Sequence, residues 1–350
     1  MDYYDRDLRM GRFRTLLFAL VAVLLFFAAV EGLLRLSGWA RSPLDEVYSD
    51  IYDVEYVMSP GSPNPYNEHK PEKLNIVGLR GETFPIEREP GVLRVICLGD
   101  STTFGMGELE ECYPYMLQEQ LEQHLGSNKA QVLNAGIPGT GFTQQLLFFQ
   151  RRMRPYRPDV VALTGGPNYR PDIKQYRDRL KSERFQRLYS MRGWFSRFDT
   201  YRLLRRLVKG PAVRFAMDDS QIDPATIETG SYLMDYWEDL AHMRELSQQD
   251  GFKLVFLNVP HLELIQEMQS RGVQPGTEQY REVLWMFTPD HVTPRFAEKY
   301  GCQFVDSVPE FLLIKADETL FFDPNHPAAK GNRIIARAVA QGILQAIAQP

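Results

Sequence analysis

Beyond residue 90, five short runs of mostly apolar residues recur along the chain: Leu93–Leu98, Gln131–Asn134, Asp159–Thr164, Lys253–Val259 and Gln303–Asp306. They are rich in β-branched residues and nearly unbroken in apolar character, the pattern of strands covered on both faces. Between them, polar and apolar positions predict helices near 113–125, 142–152, 231–250 and 277–300, with a last one from about 327 to 348. Alternating strands and helices imply right-handed crossovers and a mostly parallel sheet, an α/β fold. The interval between the third and fourth strands is too long for one crossover, so residues 170–230 read as an insert in a domain spanning 92–348. Residues 41–90 are rich in Pro, Tyr and acidic residues and read as an extended linker or wrap.

The N-terminus carries a different pattern. Thr15 to Val30 holds no charge, and Gly32, Leu33 and Leu34 lengthen the stretch past Glu31 to about twenty residues, enough to cross ~30 Å of hydrocarbon. Apolar residues on every face at a terminus argue against a core helix. Arg6, Arg9, Arg12 and Arg14 precede the stretch, whereas only Arg35 and Arg41 closely follow it. The expectation is a cytoplasmic residue 1–14 segment, an uncleaved transmembrane signal anchor over 15–36, and an extracytoplasmic (periplasmic or cell-surface) remainder. The apolar core exceeds that of a cleavable signal peptide, and no clean A-x-A site follows. Glu31 and Arg35, one turn apart, can pair at the interface.

Composition narrows the function. With 44% hydrophobic and 24% charged residues the chain is globular, and its net charge of -5 disfavours a nucleic-acid partner. Three Cys make no disulfide framework, and Cys97, inside an apolar run, reads as a small buried hydrophobe. Charge is unevenly spread: Arg170 to Lys209 holds thirteen Lys/Arg against four acids, interleaved with Trp194, Phe195, Phe198 and Tyr201. Such an element reads either as a solvated helical face or as a contact for a membrane surface or an anionic polymer. No H-E-x-x-H, C-x-x-C, G-x-G-x-x-G or P-loop lysine occurs, so neither a metal nor a cofactor is expected.

Candidate chemistry gathers at strand ends. The first strand runs into Gly99-Asp100-Ser101, which puts a hydroxyl at the edge where open α/β sheets bind ligands, ahead of a helix N-terminus. After the second strand, Gly136 in Asn134-Ala135-Gly136 can offer an unobstructed N–H to an oxyanion. After the third, Asn168 in Gly165-Gly166-Pro167-Asn168 can add a side-chain donor. Asp323 and His326, three apart in Asp323-Pro324-Asn325-His326 at the start of the last helix, can project together so that the carboxylate orients the imidazole toward Ser101. His261, following the fourth strand, is a candidate substrate-binding residue at the same edge.

These four segments, in this order, resemble the sequence blocks of the SGNH (GDSL-type) hydrolase family over residues 92–348. The resemblance implies a three-layer α/β/α flavodoxin-like fold with a five-stranded parallel sheet. It also implies Ser101 as nucleophile with Asp323 and His326, and the Ser101 amide, Gly136 and Asn168 as oxyanion donors. Tyr169 departs from it, standing where the family usually has Asp. Asn75-Ile76-Val77-Gly78-Leu79-Arg80-Gly81 resembles a stretch ahead of the serine block in membrane-anchored bacterial members, for which a structural role is the default. The expected function is an anchored serine esterase acting on carboxylic, chiefly acetyl, esters of a small molecule or an envelope or exported polysaccharide. Three alternatives stand beside it: an O-acyltransferase using the same triad, a lipase or thioesterase at the membrane surface, and a non-catalytic glycan-binding or assembly protein.

Overall fold

The computed structural model describes residues 2–39, 58, 60–64, 66, 72–164, 184, 187, 191, 194–195, 197–209, 231–287, 292–314, 316 and 319–349. They belong to two units, Met1–Glu46 with Leu180–Ala216, and Val47–Arg179 with Met217–Pro350.

In the larger unit, strands β1 (Leu93–Gly99), β2 (Ala130–Gly136), β3 (Val160–Thr164), β4 (Lys253–Asn258) and β5 (Gln303–Asp306) form one parallel sheet in the order β2-β1-β3-β4-β5. The side-chain period of two sorts each strand between two cores. Val95, Cys97, Val132, Ala162 and Val255 enter one, and Ile96, Leu98, Leu133, Leu163 and Phe256 enter the other. The first core is closed by Tyr113–Leu125 and Ala329–Ala348, and the second by Phe142–Phe148 and Ser231–Asp250. Cys97 is fully buried, as its apolar run predicted, and burial pushes its thiol far up. All three cysteines are free.

The helices differ from expectation where local chemistry interrupts them. Residues 142–152 form an α-helix only to Phe148, then widen into a π turn over Phe149–Met153 and tighten into a 3₁₀ turn at Arg154–Tyr156, which holds Pro155. The single helix expected over 277–300 is two, Glu278–Phe287 and Val292–Tyr300, and Pro289 lies between them. Leu262–Ser270 and Val308–Leu312 are helical although too short to announce themselves by periodicity. Register aligns the carboxyl edge: Gly99 lies opposite Gly136, and Asn258 opposite Asp306. The segments after β1, β2 and β4 therefore leave from one rim, at the switch point between β1 and β3.

The smaller unit contains α1 (Asp2–Ser37), whose stretch Arg14–Ser37 is long and apolar enough to cross a membrane. Leu16, Phe18, Leu25 and Phe26 are exposed along it, and only Leu34 is buried. It packs against α2 (Asp199–Lys209).

Candidate active site

Ser101 opens a four-residue helix, α3 (Ser101–Phe104), directly after β1. Asp100 makes the turn possible: its Oδ1 accepts the Thr102 N–H and the Thr102 hydroxyl, each at 2.9 Å. Gly99 is required by space, because a Cβ there would overlap the hydroxyls of Thr103 and Thr164, which hydrogen-bond each other at 3.0 Å. The Ser101 amide, first in its helix, has no intrahelical acceptor.

The segment before the sheet supports this turn. Arg80, almost wholly buried, donates from Nη1 to the carbonyls of Phe104 (3.1 Å) and Gly105 (2.6 Å) and to Cys112 Sγ (2.9 Å). Its Nη2 donates to the Gly107 carbonyl at 2.6 Å and pairs with Glu72 at 2.8 Å. Burial pushes the Cys112 thiol up to about 12, against the pull of Arg80, so it meets the guanidinium neutral. Asn75 shapes the approach to Arg80: its Oδ1 accepts the N–H groups of Val77 and Leu79, and its Nδ2 donates to the Glu82 carbonyl. The structural role expected for Asn75–Gly81 is thus a brace under the loop that follows Ser101.

His326 reaches Ser101 from the far end of the chain. Its Nε2 lies 2.9 Å from Ser101 Oγ, and its Nδ1 lies 2.8 Å from both carboxylate oxygens of Asp323. A carboxylate only accepts, so the N–H belongs on Nδ1, which leaves the Nε2 lone pair facing the hydroxyl. The imidazole is largely buried (15% exposed), whereas Asp323 is 38% exposed. The two residues were expected to open the last helix, but that helix, α4 (Ala329–Ala348), begins three positions later. Asp323 Oδ1 instead accepts the backbone N–H of Asn325 (2.8 Å) and of His326 (2.9 Å), and Pro327 disfavours helical backbone at His326. The result is a side-chain-closed turn that fixes carboxylate and ring together.

Gly136 corrects the sequence reading. Its N–H donates to Asn134 Oδ1 at 3.0 Å, while Asn134 Nδ2 donates to the Phe104 carbonyl at 3.2 Å. The N–H is spent inside the turn, and the need for glycine is steric, since a Cβ would strike the Phe104 backbone. Along the loop that follows, Ile137 donates to the Gly99 carbonyl, Thr140 to the Ile137 carbonyl and Gly141 to Gln144 Oε1. Pro138 has no N–H. Among the described residues, that leaves the amide of half-buried Gly139 as the uncommitted donor after β2. Nothing in the sequence distinguishes Gly136 from Gly139, because the difference lies in where the Asn134 side chain turns. Asn168, with Gly165–Tyr169, lies outside the described residues, as does most of the basic segment before Asp199.

His261 occupies the N-cap position of the helix Leu262–Ser270 without a side-chain capping bond, and that helix's first N–H donates to the Pro324 carbonyl at 2.9 Å, which ties it to the Asp323–His326 turn. Its Nδ1 is buried with no hydrogen-bond partner among the described residues. Burial holds its imidazole below the ordinary value, with Asp100 opposing that shift and His326 adding to it. The residue expected to line the crevice therefore stands within electrostatic reach of both Asp100 in the serine turn and His326.

The sequence model of the GDSL-like Lipase/Acylhydrolase family matches residues 97–334. No curated protein sequence matches the chain. Solved structures similar to it include the acetyl xylan esterase AlAXEase, at 15% identity and TM-score 0.43 over 72% of this chain and 100% of that one. Another is Axe2, an acetylxylan esterase from Geobacillus stearothermophilus, at 17% identity and TM-score 0.44, covering 72% and 94%. A third is LAE5, an α/β hydrolase from the metagenome of Lake Arreo, Spain, at 16% and 0.43, covering 71% and 94%.

Proposed function

Because the chain belongs to the GDSL-like lipase/acylhydrolase family and is an enzyme that hydrolyses ester bonds, we propose that Ser101 is its nucleophile and that it works at the outer face of a membrane. The observation that carries the nucleophile assignment is the continuous relay from Ser101 Oγ through His326 to Asp323 at 2.9 and 2.8 Å. A neutral serine attacks poorly, so His326 Nε2 takes its proton as the oxygen adds to the ester carbonyl. Asp323 holds the tautomer and stabilises the imidazolium, and His326 then returns the proton to the departing alcohol. The amides of Ser101 and Gly139, with the side chain of Asn168, receive the oxyanion, each donor worth about 2.7–4 kcal/mol. Water releases the acyl group from Ser101.

His261, with its unpartnered ring nitrogen beside the triad, binds the alcohol part of the substrate. The anchor Arg14–Ser37, flanked by arginines chiefly on its N-terminal side, holds the site extracytoplasmic. Its substrates are short acyl esters, acetyl first, on envelope or exported polysaccharide. A fluorophosphonate probe should label the wild-type chain and fail to label Ser101→Ala. Labelling that survives the substitution overturns the nucleophile, and a rate that peaks on long-chain p-nitrophenyl esters rather than acetate overturns the acyl assignment.

A further inference from the structure

Glu31 is the only acid in the stretch from Arg14 to Ser37, and it is fully engaged. Its Oε1 accepts the Asp199 N–H (3.0 Å), and its Oε2 accepts the Thr200 N–H and the Thr200 hydroxyl (both 2.9 Å). Arg35 donates to it at 2.7 Å and reaches the Arg197 carbonyl at 3.2 Å. The first N–H groups of a helix lack intrahelical acceptors and carry partial positive charge, so one carboxylate of α1 caps α2. The cap lies near the C-terminal end of the apolar stretch, where Leu34 is the one buried apolar residue among the described residues of Arg14–Ser37. Acidic residues in spanning helices are costly and mark a function, which here is to hold a second element at a fixed level on the anchor.

That second element has an exposed apolar side. Trp194, Phe195, Leu204 and Leu207 are all exposed, Leu204 and Leu207 three apart on one helical face. Trp194 meets Phe195 and Phe198 edge-on at 5.1 and 5.2 Å. The same sequence carries Arg202, Arg205, Arg206 and Lys209. Exposed Trp and Leu beside several basic residues suit the headgroup–acyl boundary of an anionic bilayer rather than water.

We propose that Trp194, Phe195 and residues 197–209 lie in the membrane interface as a basic amphipathic element, clamped to the anchor by Glu31, with anionic lipid as partner. This rests on the anchor reading above. The test places a nitroxide on Leu207→Cys in the full chain in nanodiscs, with and without phosphatidylglycerol in phosphatidylcholine, and a control label on Leu25→Cys in mid-span. With anionic lipid, the Leu207 label should lose access to a water-soluble nickel chelate and sit about 5–10 Å into the boundary. Without anionic lipid it should regain chelate access. Glu31→Leu should return it to water while the Leu25 label stays immersed. An immersed Leu25 label with an aqueous Leu207 label overturns the interfacial element alone, and an aqueous Leu25 label overturns the anchor and the proposal with it. Equal immersion in both lipids overturns the anionic partner, and immersion that survives Glu31→Leu overturns the clamp.

Discussion

His326 Nε2 stands 2.9 Å from Ser101 Oγ across 225 positions of sequence. The two meet because β1 ends at the same rim that the turn before α4 reaches. Ser101→Ala and His326→Ala should each lower kcat for p-nitrophenyl acetate by about 10⁴–10⁶-fold, and the double variant should lose little more, since the pair acts as a unit. Asp323→Asn should cost less, because a carboxylate 38% exposed to water contributes less to the imidazolium than a buried one. Steady-state kinetics on the four variants checks the order, and additive losses would contradict a shared proton relay.

Arg80 binds three carbonyls, a thiol and Glu72 from inside the protein, all around the loop after Ser101. Arg80→Met removes the buried charge and its bonds to the Gly105 and Gly107 carbonyls, leaves the Phe104 carbonyl to Asn134 and Glu72 to Asn64, and should destabilise the domain by about 3–5 kcal/mol, measured by urea unfolding. Arg80→Lys should recover only part, because one ammonium cannot span the fork that reaches Phe104, Gly105 and Gly107 at once. In Arg80→Lys, kcat should fall more than KM rises, since Arg80 acts on the loop that follows Ser101.

The sheet was readable because the apolar runs of its strands stand out, and the meeting of Ser101 with His326 was readable because one follows a strand end after Gly99 and the other lies three positions after Asp323, which closes its turn. What stayed hidden depends on where particular side chains turn. Asn75–Gly81 gives no hint that Arg80 crosses beneath the Ser101 loop, nor does Asn134 reveal that it takes the Gly136 N–H. Glu31 was readable as an interfacial partner for Arg35, but its capping of Asp199 and Thr200 joins segments 168 positions apart and has no sequence signal.

The Asn134–Gly136 hydrogen bond separates two accounts of the oxyanion site. Asn134→Leu frees the Gly136 N–H and leaves the Phe104 carbonyl to Arg80 alone, at a cost of about 1–3 kcal/mol in stability. If Gly136 only packs, kcat should fall with the disturbed serine turn. A higher kcat would mean that the released amide serves the oxyanion. Gly136→Ala should be worse in both stability and kcat, because its Cβ must displace the Phe104 backbone.

His261 makes the fold sensitive to acid. Burial keeps its imidazole neutral below the ordinary 6.5, while the unfolded chain takes up the proton there. The unfolded state thus binds more protons between the native and unfolded values, and stability must rise with pH through that window and fall as pH drops below about 6.5. Each unit of pH fully inside it is worth up to about 1.4 kcal/mol. Asp100 and Glu263 favour the charged ring and narrow the window, whereas His326 widens it. Urea midpoints of the wild type should therefore decline from pH 7.5 to 5 more steeply than those of His261→Gln, which has nothing to protonate. Parallel declines would mean that another group carries the acid sensitivity. On the substrate side, His261→Gln should raise KM for a sugar ester more than for p-nitrophenyl acetate, whose alcohol offers the ring nitrogen no hydroxyl.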